Sequence, residues 1–335
     1  MSFTGNIGNA GGRNGPAAGE PSGHVLLVGG GVIGKGWAVQ LLAHGHRVVL
    51  ADPAVGADEV ARQVEQSRQA VEGLGGDLHG WESRLEVVAD TGGGLEAALD
   101  GAVWVQESGP EDPGFKARLA AWLDERLPSE VVIASSTSGT MPSALAAECT
   151  RAPGRVVVGH PFHPVPVIPL VEVVGNAHTT DDVAERACRF YRSLGKRPVR
   201  VRREVPGHLA NRLQAALWRE AYSLVERGVA TVADVDAAVS HGPGLRWAVV
   251  GPLLGQHLGG GPGGMAHTLE HLGPPAQEWM DDLRDARLTP ELVSLLVDGV
   301  HEEVGERGSD ELSAARDALL VRLLRDKRDA GRSLP

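Results

Sequence analysis

Cysteine is close to absent from this chain, with two among 335 residues. Cys149 and Cys188 each fall in a helix-like segment, with no CxxC or Cys/His spacing around them. A disulfide framework, a thiol nucleophile and a cysteine metal site are therefore not expected, and the thiols fit a reducing, cytoplasmic setting. Long apolar runs are missing too: none approaches the roughly 20 residues of a membrane span. Met1–Ser22 is rich in Gly, Asn and Pro without an apolar core, and reads as a disordered leader rather than a signal peptide or anchor. Positive charge is in deficit, with 32 Lys+Arg against 43 Asp+Glu for a formal charge of −11. Such a balance disfavours a phosphate-backbone partner, so neither nucleic acid nor membrane is expected. What remains is an ordinary globular composition, 42% hydrophobic and 22% charged, on a chain long enough for two domains.

The first apolar strand, His24–Val28, runs into Gly29-Gly30-Gly31-Val32-Ile33-Gly34 and then a helix-like stretch to His44 with Gly45 as its stop. This is GxGxxG between a strand and a helix. Gly29 permits the tight turn, Gly31 lets the backbone approach a pyrophosphate, and Gly34 allows close packing, while the helix start at Val32 and Ile33 offers unpaired N–H groups to an anion. The next strand, Arg47–Ala51, ends in Asp52, a carboxylate placed to take both ribose hydroxyls of NAD and to repel the 2′-phosphate of NADP. Helix and strand patterns then alternate: Asp58–Leu74, Arg84–Ala89, Ala102–Gln106, Phe115–Leu127 and Val131–Ala134. Alternation of this kind predicts a doubly wound, mostly parallel sheet of Rossmann type, with ligands at the carboxyl ends of its strands. Glu107, Ser108, Glu111 and the loop Ser135-Ser136-Thr137-Ser138-Gly139 fall at such ends; the serine-rich loop reads equally as a helix cap.

The stretch 159–175, GHPFHPVPVIPLVEVVG, carries His160 after one strand-like run and Glu172 within the next. Across a Pro-rich return the two could meet as a general acid/base. A carboxylate accepting one ring N–H fixes the imidazole tautomer and stabilises the imidazolium, leaving the other nitrogen to exchange a proton. Taken alone, such a pair reads as well as a structural hydrogen bond. A helix (Asp181–Leu194) and a strand (Pro198–Val201) follow, and from Pro206 onward only helices are read: His208–Arg227, Val232–Ser240, Met265–Leu272, Pro275–Arg284, Pro290–Val297 and Asp310–Asp326. The expected division is a leader over 1–22, a dinucleotide-binding domain over 23–203 and an all-α domain over 204–335. His267, Glu270 and His271 have the i, i+4 histidine spacing of a helical zinc site, but with no third protein ligand evident they read as solvated helix residues and no metal is expected.

From about His24 to Arg328 the chain resembles the 3-hydroxyacyl-CoA dehydrogenase superfamily. The resemblance rests on Val28–Gly34, on QESGPEDPGFK around Glu111 and Lys116, on the Ser138 loop, on the His160/Glu172 spacing, and on Pro206-Gly207-His208-Leu209-Ala210-Asn211-Arg212. It implies NAD as cofactor, His160 and Glu172 as the catalytic pair, Ser138 and Asn211 as hydrogen-bonding partners of the substrate oxygen, Glu111 and Lys116 beside the nicotinamide, and a homodimer.

Within that superfamily, Pro169-Leu170-Val171-Glu172, Gly244–Ala248 and Gly263–Met265 resemble the gulonate 3-dehydrogenase (lambda-crystallin) and carnitine 3-dehydrogenase branch, whose substrates are free 3-hydroxy acids. Acyl-CoA members usually carry lysine at the position of Pro169. A free carboxylate favours a bidentate guanidinium, and Arg246 is the candidate. The family asparagine of HxxNP is His163 here, which puts the substrate in question more than the reaction. Reductases of aromatic polyketide 3-keto acids resemble the same superfamily. Two alternatives stay open: a 3-hydroxyacyl-CoA dehydrogenase, and a non-catalytic NAD(H)-binding protein of the crystallin kind.

Overall fold

The structure, a computed structural model, describes residues 23–89 and 92–331; the expected leader Met1–Ser22 lies outside the described residues. It divides into two compact units, one taking in residues up to Arg68, Gly76–Thr137 and Pro142–Arg200, the other Gln69–Gly75, Ser138–Met141 and Val201 onward.

The first unit is an open sheet. Strands β1 (His24–Val28), β2 (Val48–Ala51), β3 (Leu85–Val88), β4 (Ala102–Glu107), β5 (Val132–Ser135), β6 (Val156–Pro161), β7 (Leu170–Val174) and β8 (Arg197–Val201) lie in the order β3-β2-β1-β4-β5-β6-β7-β8. From β3 to β6 every pair is parallel, and β7 returns antiparallel against β6. The central strands are runs such as Val25–Val28 and Val48–Ala51, buried along their length, as expected where helices cover both faces of a parallel sheet. Those helices are α1 (Val32–Ala43), α2 (Ala57–Gly73), α3 (Gly93–Ala97), α4 (Pro113–Arg126), α5 (Pro142–Leu145) and α6 (Asp181–Ser193). Strand order reverses between β1 and β4, which opens a crevice at their carboxyl ends. Below it the core is sealed by aromatic contacts, with Trp104 stacked on Phe190 at 3.9 Å.

The second unit is helical: α7 (Ala210–Glu226), α8 (Val232–Ser240), α9 (Pro243–Val250), α10 (Pro252–Gly259), α11 (Gly264–Asp282), α12 (Pro290–Val304) and α13 (Ser309–Asp329). Several elements differ from the sequence reading, each for a local reason. Helix α7 starts at Ala210 rather than His208, because Gly207 (φ 74°) and His208 (φ 51°) both sit in the left-handed region. The two segments read around Pro274-Pro275 are one helix, α11. The carbonyls of Glu270 and His271 that lose their N–H donors belong to exposed residues, where solvent can reach them. Helix α12 continues past Asp298 through Gly299, where a Cβ would lie 2.4 Å from Val232 Cγ2; the glycine lets α8 approach. Helices α9 and α10, absent from the reading, each begin with proline in the first turn.

Candidate active site

The turn after β1 is shaped by its glycines. Gly29 has φ +100°, and a Cβ there would stand 2.6 Å from the Ser108 carbonyl; a Cβ on Gly34 would stand 1.9 Å from Gly29 O. Gly31, by contrast, has nothing within 4 Å, so its face of the turn is open. No side chain caps α1 and no acid occupies its first turn. The amides that begin the helix, Val32 and Ile33 among them, therefore present donors and a positive dipole end to an incoming anion. Asp52 follows the last residue of β2. Its Oδ2 accepts from Gly30 N–H at 2.7 Å and its Oδ1 from Ala54 and Val55 N–H at 2.8 and 3.0 Å, which ties the two neighbouring turns together. The donor set fits a dinucleotide.

Across the crevice, Lys116 at the start of α4 is buried. Its Nζ donates to Glu107 Oε1 and Oε2 at 2.8 and 3.0 Å and lies 3.4 Å from Glu111 Oε2. Glu111 and Lys116 thus stand together as the resemblance implies, but the lysine's nearer partner is Glu107, the buried last residue of β4. Glu107 also accepts from Ser135 Oγ and from Gly109 N–H, while Thr137 Oγ1 donates to Glu111. A second network, unforeseen from the sequence, lies deeper. Tyr191 OH donates to Gln106 Oε1 at 2.7 Å, and Gln106 Nε2 donates to Ser136 Oγ at 2.8 Å and Gly159 O at 3.3 Å. Ser136 Oγ also receives Trp37 Nε1–H at 3.1 Å and meets Ser108 Oγ at 2.8 Å. The available signal was Gln106 itself, a long polar side chain inside an apolar strand. Burial pushes the Tyr191 phenol far above its ordinary pKa, so it stays a neutral donor.

His160 and Glu172 are direct cross-strand partners of the antiparallel β6–β7 pair. His160 therefore lies within β6 rather than after it. Its Nδ1 is 2.9 Å from Glu172 Oε2, with residue His160 6% and Glu172 0% exposed. Since a carboxylate only accepts, Nδ1 carries the proton in this bond and Nε2 is the nitrogen left to exchange one. Phe162 packs on the imidazole with ring centroids 4.7 Å apart. His163, the residue at the family asparagine position, is exposed in the loop 162–169.

Ser138 and Asn211 belong to the second unit, where Asn211 Nδ2 donates to Ser138 O at 3.1 Å. Arg246 is exposed on α9. His267, Glu270 and His271 are exposed on α11 with one ligand atom of each within 4.8 Å of the others. The thiols are poor nucleophiles: burial and the neighbouring Asp124 carboxylate raise Cys149 to about 11, and burial raises Cys188.

A doubly wound sheet with an open glycine turn at a bare helix start, and an acid at the end of the next strand, defines an NAD-binding oxidoreductase of Rossmann type. Comparison with known proteins names the family. The family model of the 3-hydroxyacyl-CoA dehydrogenase NAD binding domain matches residues 24–205, and that of the 3-hydroxyacyl-CoA dehydrogenase C-terminal domain matches 207–293. The chain belongs to the 3-hydroxyacyl-CoA dehydrogenase family, and it is an NAD-dependent dehydrogenase. It is similar to an L-carnitine dehydrogenase from Streptomyces griseus, 44% identical over 326 residues that cover 97% of this chain and 96% of that one. It is also 44% identical to a 3-hydroxyacyl-CoA dehydrogenase from Gibberella moniliformis, over 90% of this chain and 94% of that one. Among solved structures it is similar to 5-formyl-3-hydroxy-2-methylpyridine 4-carboxylic acid 5-dehydrogenase, an NAD+-dependent dismutase, with a TM-score of 0.76, 27% identity and coverage of 91% of this chain and 98% of that one.

Proposed function

We propose that this protein interconverts a free 3-hydroxy acid and its 3-keto acid, with His160 as general base and acid and Glu172 as its orienting carboxylate. The observation that carries the reading is the cross-strand His160–Glu172 bond at 2.9 Å, with the carboxylate fully buried. In the oxidising direction His160 Nε2 takes the proton of the 3-hydroxyl, and the imidazolium so formed is stabilised by Glu172 at its other nitrogen. NAD, when bound, accepts the hydride that leaves C3. In reverse His160 returns the proton to the carbonyl oxygen. Ser138 and Asn211 are assigned to that oxygen and Glu111 and Lys116 to the nicotinamide side, on the family pattern. Arg246 is assigned to the substrate carboxylate, and His163 to substrate selection.

Relatives named L-carnitine dehydrogenase, together with Pro169 in place of the acyl-CoA lysine, favour a carboxylate that is not a thioester: carnitine-like, gulonate-like, or a polyketide acid. The second unit supports a homodimer. Leu213, Leu217, Trp218, Trp247, Leu253 and Val297 are among its exposed apolar side chains, while from Val201 onward only Val225 and Leu292 of its described large apolar residues are buried. A reducing cytoplasm suits the two free thiols.

The test is NADH formation at 340 nm with L-carnitine, L-gulonate, 3-hydroxybutyrate and 3-hydroxybutyryl-CoA in parallel, for the wild type and His160→Ala. Turnover of a free acid that falls by about 10²–10⁴ in His160→Ala, with NADH binding retained, is expected. Reaction of the thioester alone would make the protein an acyl-CoA enzyme, and undiminished turnover in His160→Ala would remove the histidine from the chemistry.

A further inference from the structure

The return from His160 to Glu172 is the loop 162–169, and little of it bonds to itself: the amides of Val167 and Ile168 both donate to Pro164 O, at 3.0 and 2.9 Å. It is held from outside. Lys196, the residue before β8, is 6% exposed, and its Nζ donates to the carbonyl of Val165 and to that of Ile168 at 3.1 Å. The next residue, Arg197, donates its N–H to Pro169 O at 2.7 Å. On the other side α1 presses against the loop, so that a Cβ on Gly36 would lie 2.9 Å from Val165 Cβ, and the Trp37 ring lies 5.8 Å from the ammonium.

Lys196 has no acidic partner: no carboxylate forms an ion pair with it among the described residues. The titratable group that faces it is His44, the residue that follows α1, whose imidazole is held below its ordinary pKa by burial and by this ammonium. Burial pulls the Lys196 pKa from 10.5 down to about 7. A methionine would fill the same space without that cost. What it lacks is the donors.

We propose that Lys196 is the positioning residue of the acid/base pair: by holding the Val165 and Ile168 carbonyls it fixes the loop 162–169, and with it the register that sets His160 opposite Glu172. This rests on the reading of His160–Glu172 as the catalytic pair, so two of the measurements need no substrate. Lys196→Met is compared with wild type in the full-length protein by hydrogen exchange, by the downfield proton resonance of His160 Nδ1–H (assigned by its absence in His160→Ala), and by kcat. Exchange across 162–170 rises at least tenfold with β1 and β4 peptides unchanged, the resonance is lost or shifted, and kcat falls ten- to a hundredfold at constant NADH affinity. Lys196→Gln, which keeps an N–H donor on a shorter stem, recovers part of each effect. If Lys196→Met does not fold, Lys196→Gln alone is read against the same criteria at smaller amplitude. A lowered melting temperature with loop exchange, resonance and kcat all at wild-type values overturns the proposal. A wild type that turns over no hydroxy acid instead refutes the functional reading, while exchange and resonance still decide whether Lys196 positions the pair.

Discussion

Trp218→Glu measures whether the helical unit completes its core in a second copy. Trp218 lies on α7, 46% exposed, at the edge of a groove of about 490 Å³ lined also by Tyr222, Val232, Val235, Val297 and Val300. A tryptophan side chain presents roughly 250 Å², so the exposed part is on the order of 110 Å². At about 25 cal/mol/Å², covering it is worth about 3 kcal/mol. In a two-fold interface the residue counts twice, which makes about 6 kcal/mol per dimer, or roughly a 10⁴-fold weaker dissociation constant on its loss. A glutamate adds the cost of desolvating a charge. Sedimentation equilibrium from 0.1 to 100 μM should find the wild type dimeric and Trp218→Glu monomeric, with circular dichroism and NADH binding intact because the cofactor turn lies in the other unit. A monomeric wild type at 100 μM, or a variant with the wild-type dissociation constant, refutes the reasoning.

Three further outcomes are expected. Gly34→Ala places a Cβ 1.9 Å from Gly29 O, so the turn must open and NADH affinity should fall at least a hundredfold by fluorescence titration, with secondary structure retained. Asp124 is buried and accepts from Arg155 Nε and Nη2 at 3.1 and 3.0 Å and from Arg151 N–H at 2.8 Å. Burial alone would raise its pKa, but those donors hold it below the usual carboxylate range. Its stabilisation is therefore present above the unfolded pKa and lost as pH falls through the folded one, and Asp124→Asn, which strands the Arg155 guanidinium, should cost about 3–5 kcal/mol in urea unfolding at pH 7. Lys196 gives the same direction in a higher pH window: its folded pKa, about 7, is below its unfolded 10.5, so the unfolded state binds the extra proton between them and stability rises with pH. Relative to Lys196→Met, the wild type should gain about 2–3 kcal/mol between pH 7 and 9; a pH-independent difference would refute the shifted lysine.

Much of the fold was legible because its strands announce themselves. Val25–Val28 and Val48–Ala51 are apolar on both faces, which only a covered parallel sheet tolerates, and each stops at a glycine or an acid. The GxGxxG turn was readable for the same reason, since its glycines answer to backbone geometry that Gly29 and Gly34 display. The helical unit was harder. Glycine and proline ordinarily mark loops, and α9, α10 and the middle of α11 contain both; here proline opens the helices or sits where water can serve the freed carbonyls. The site was legible where spacing alone sets contact, as for His160 and Glu172. It was not legible where contact spans distant elements. Glu107, placed just past the strand in the sequence reading, is the buried end of β4 and the first partner of Lys116. No local pattern ties Tyr191 to Gln106 or Lys196 to Ile168.

The one antiparallel pair in the sheet from β1 to β7 is the one that carries the imidazole and the carboxylate, and the geometry of the return explains why. Between parallel neighbours the chain must cross over through a helix, so two residues at adjacent carboxyl ends are related by a long connection. After β6 the chain instead turns back within the loop 162–169, and Glu172 enters the sheet at the edge where His160 leaves it. Residues directly opposite in an antiparallel pair have Cβ atoms about 4.5–5.5 Å apart on the same face, close enough for the bond seen at 2.9 Å between Nδ1 and Oε2. The valines on either side, Val171 and Val173, point to the other face and are buried there. A slip of one residue in the pairing would exchange those faces, putting a valine against the imidazole and the carboxylate into the apolar side. Whatever fixes the length and shape of the return therefore fixes which residue meets the imidazole, and the groups that hold that return are the Lys196 ammonium on the Val165 and Ile168 carbonyls and the Arg197 N–H on Pro169 O.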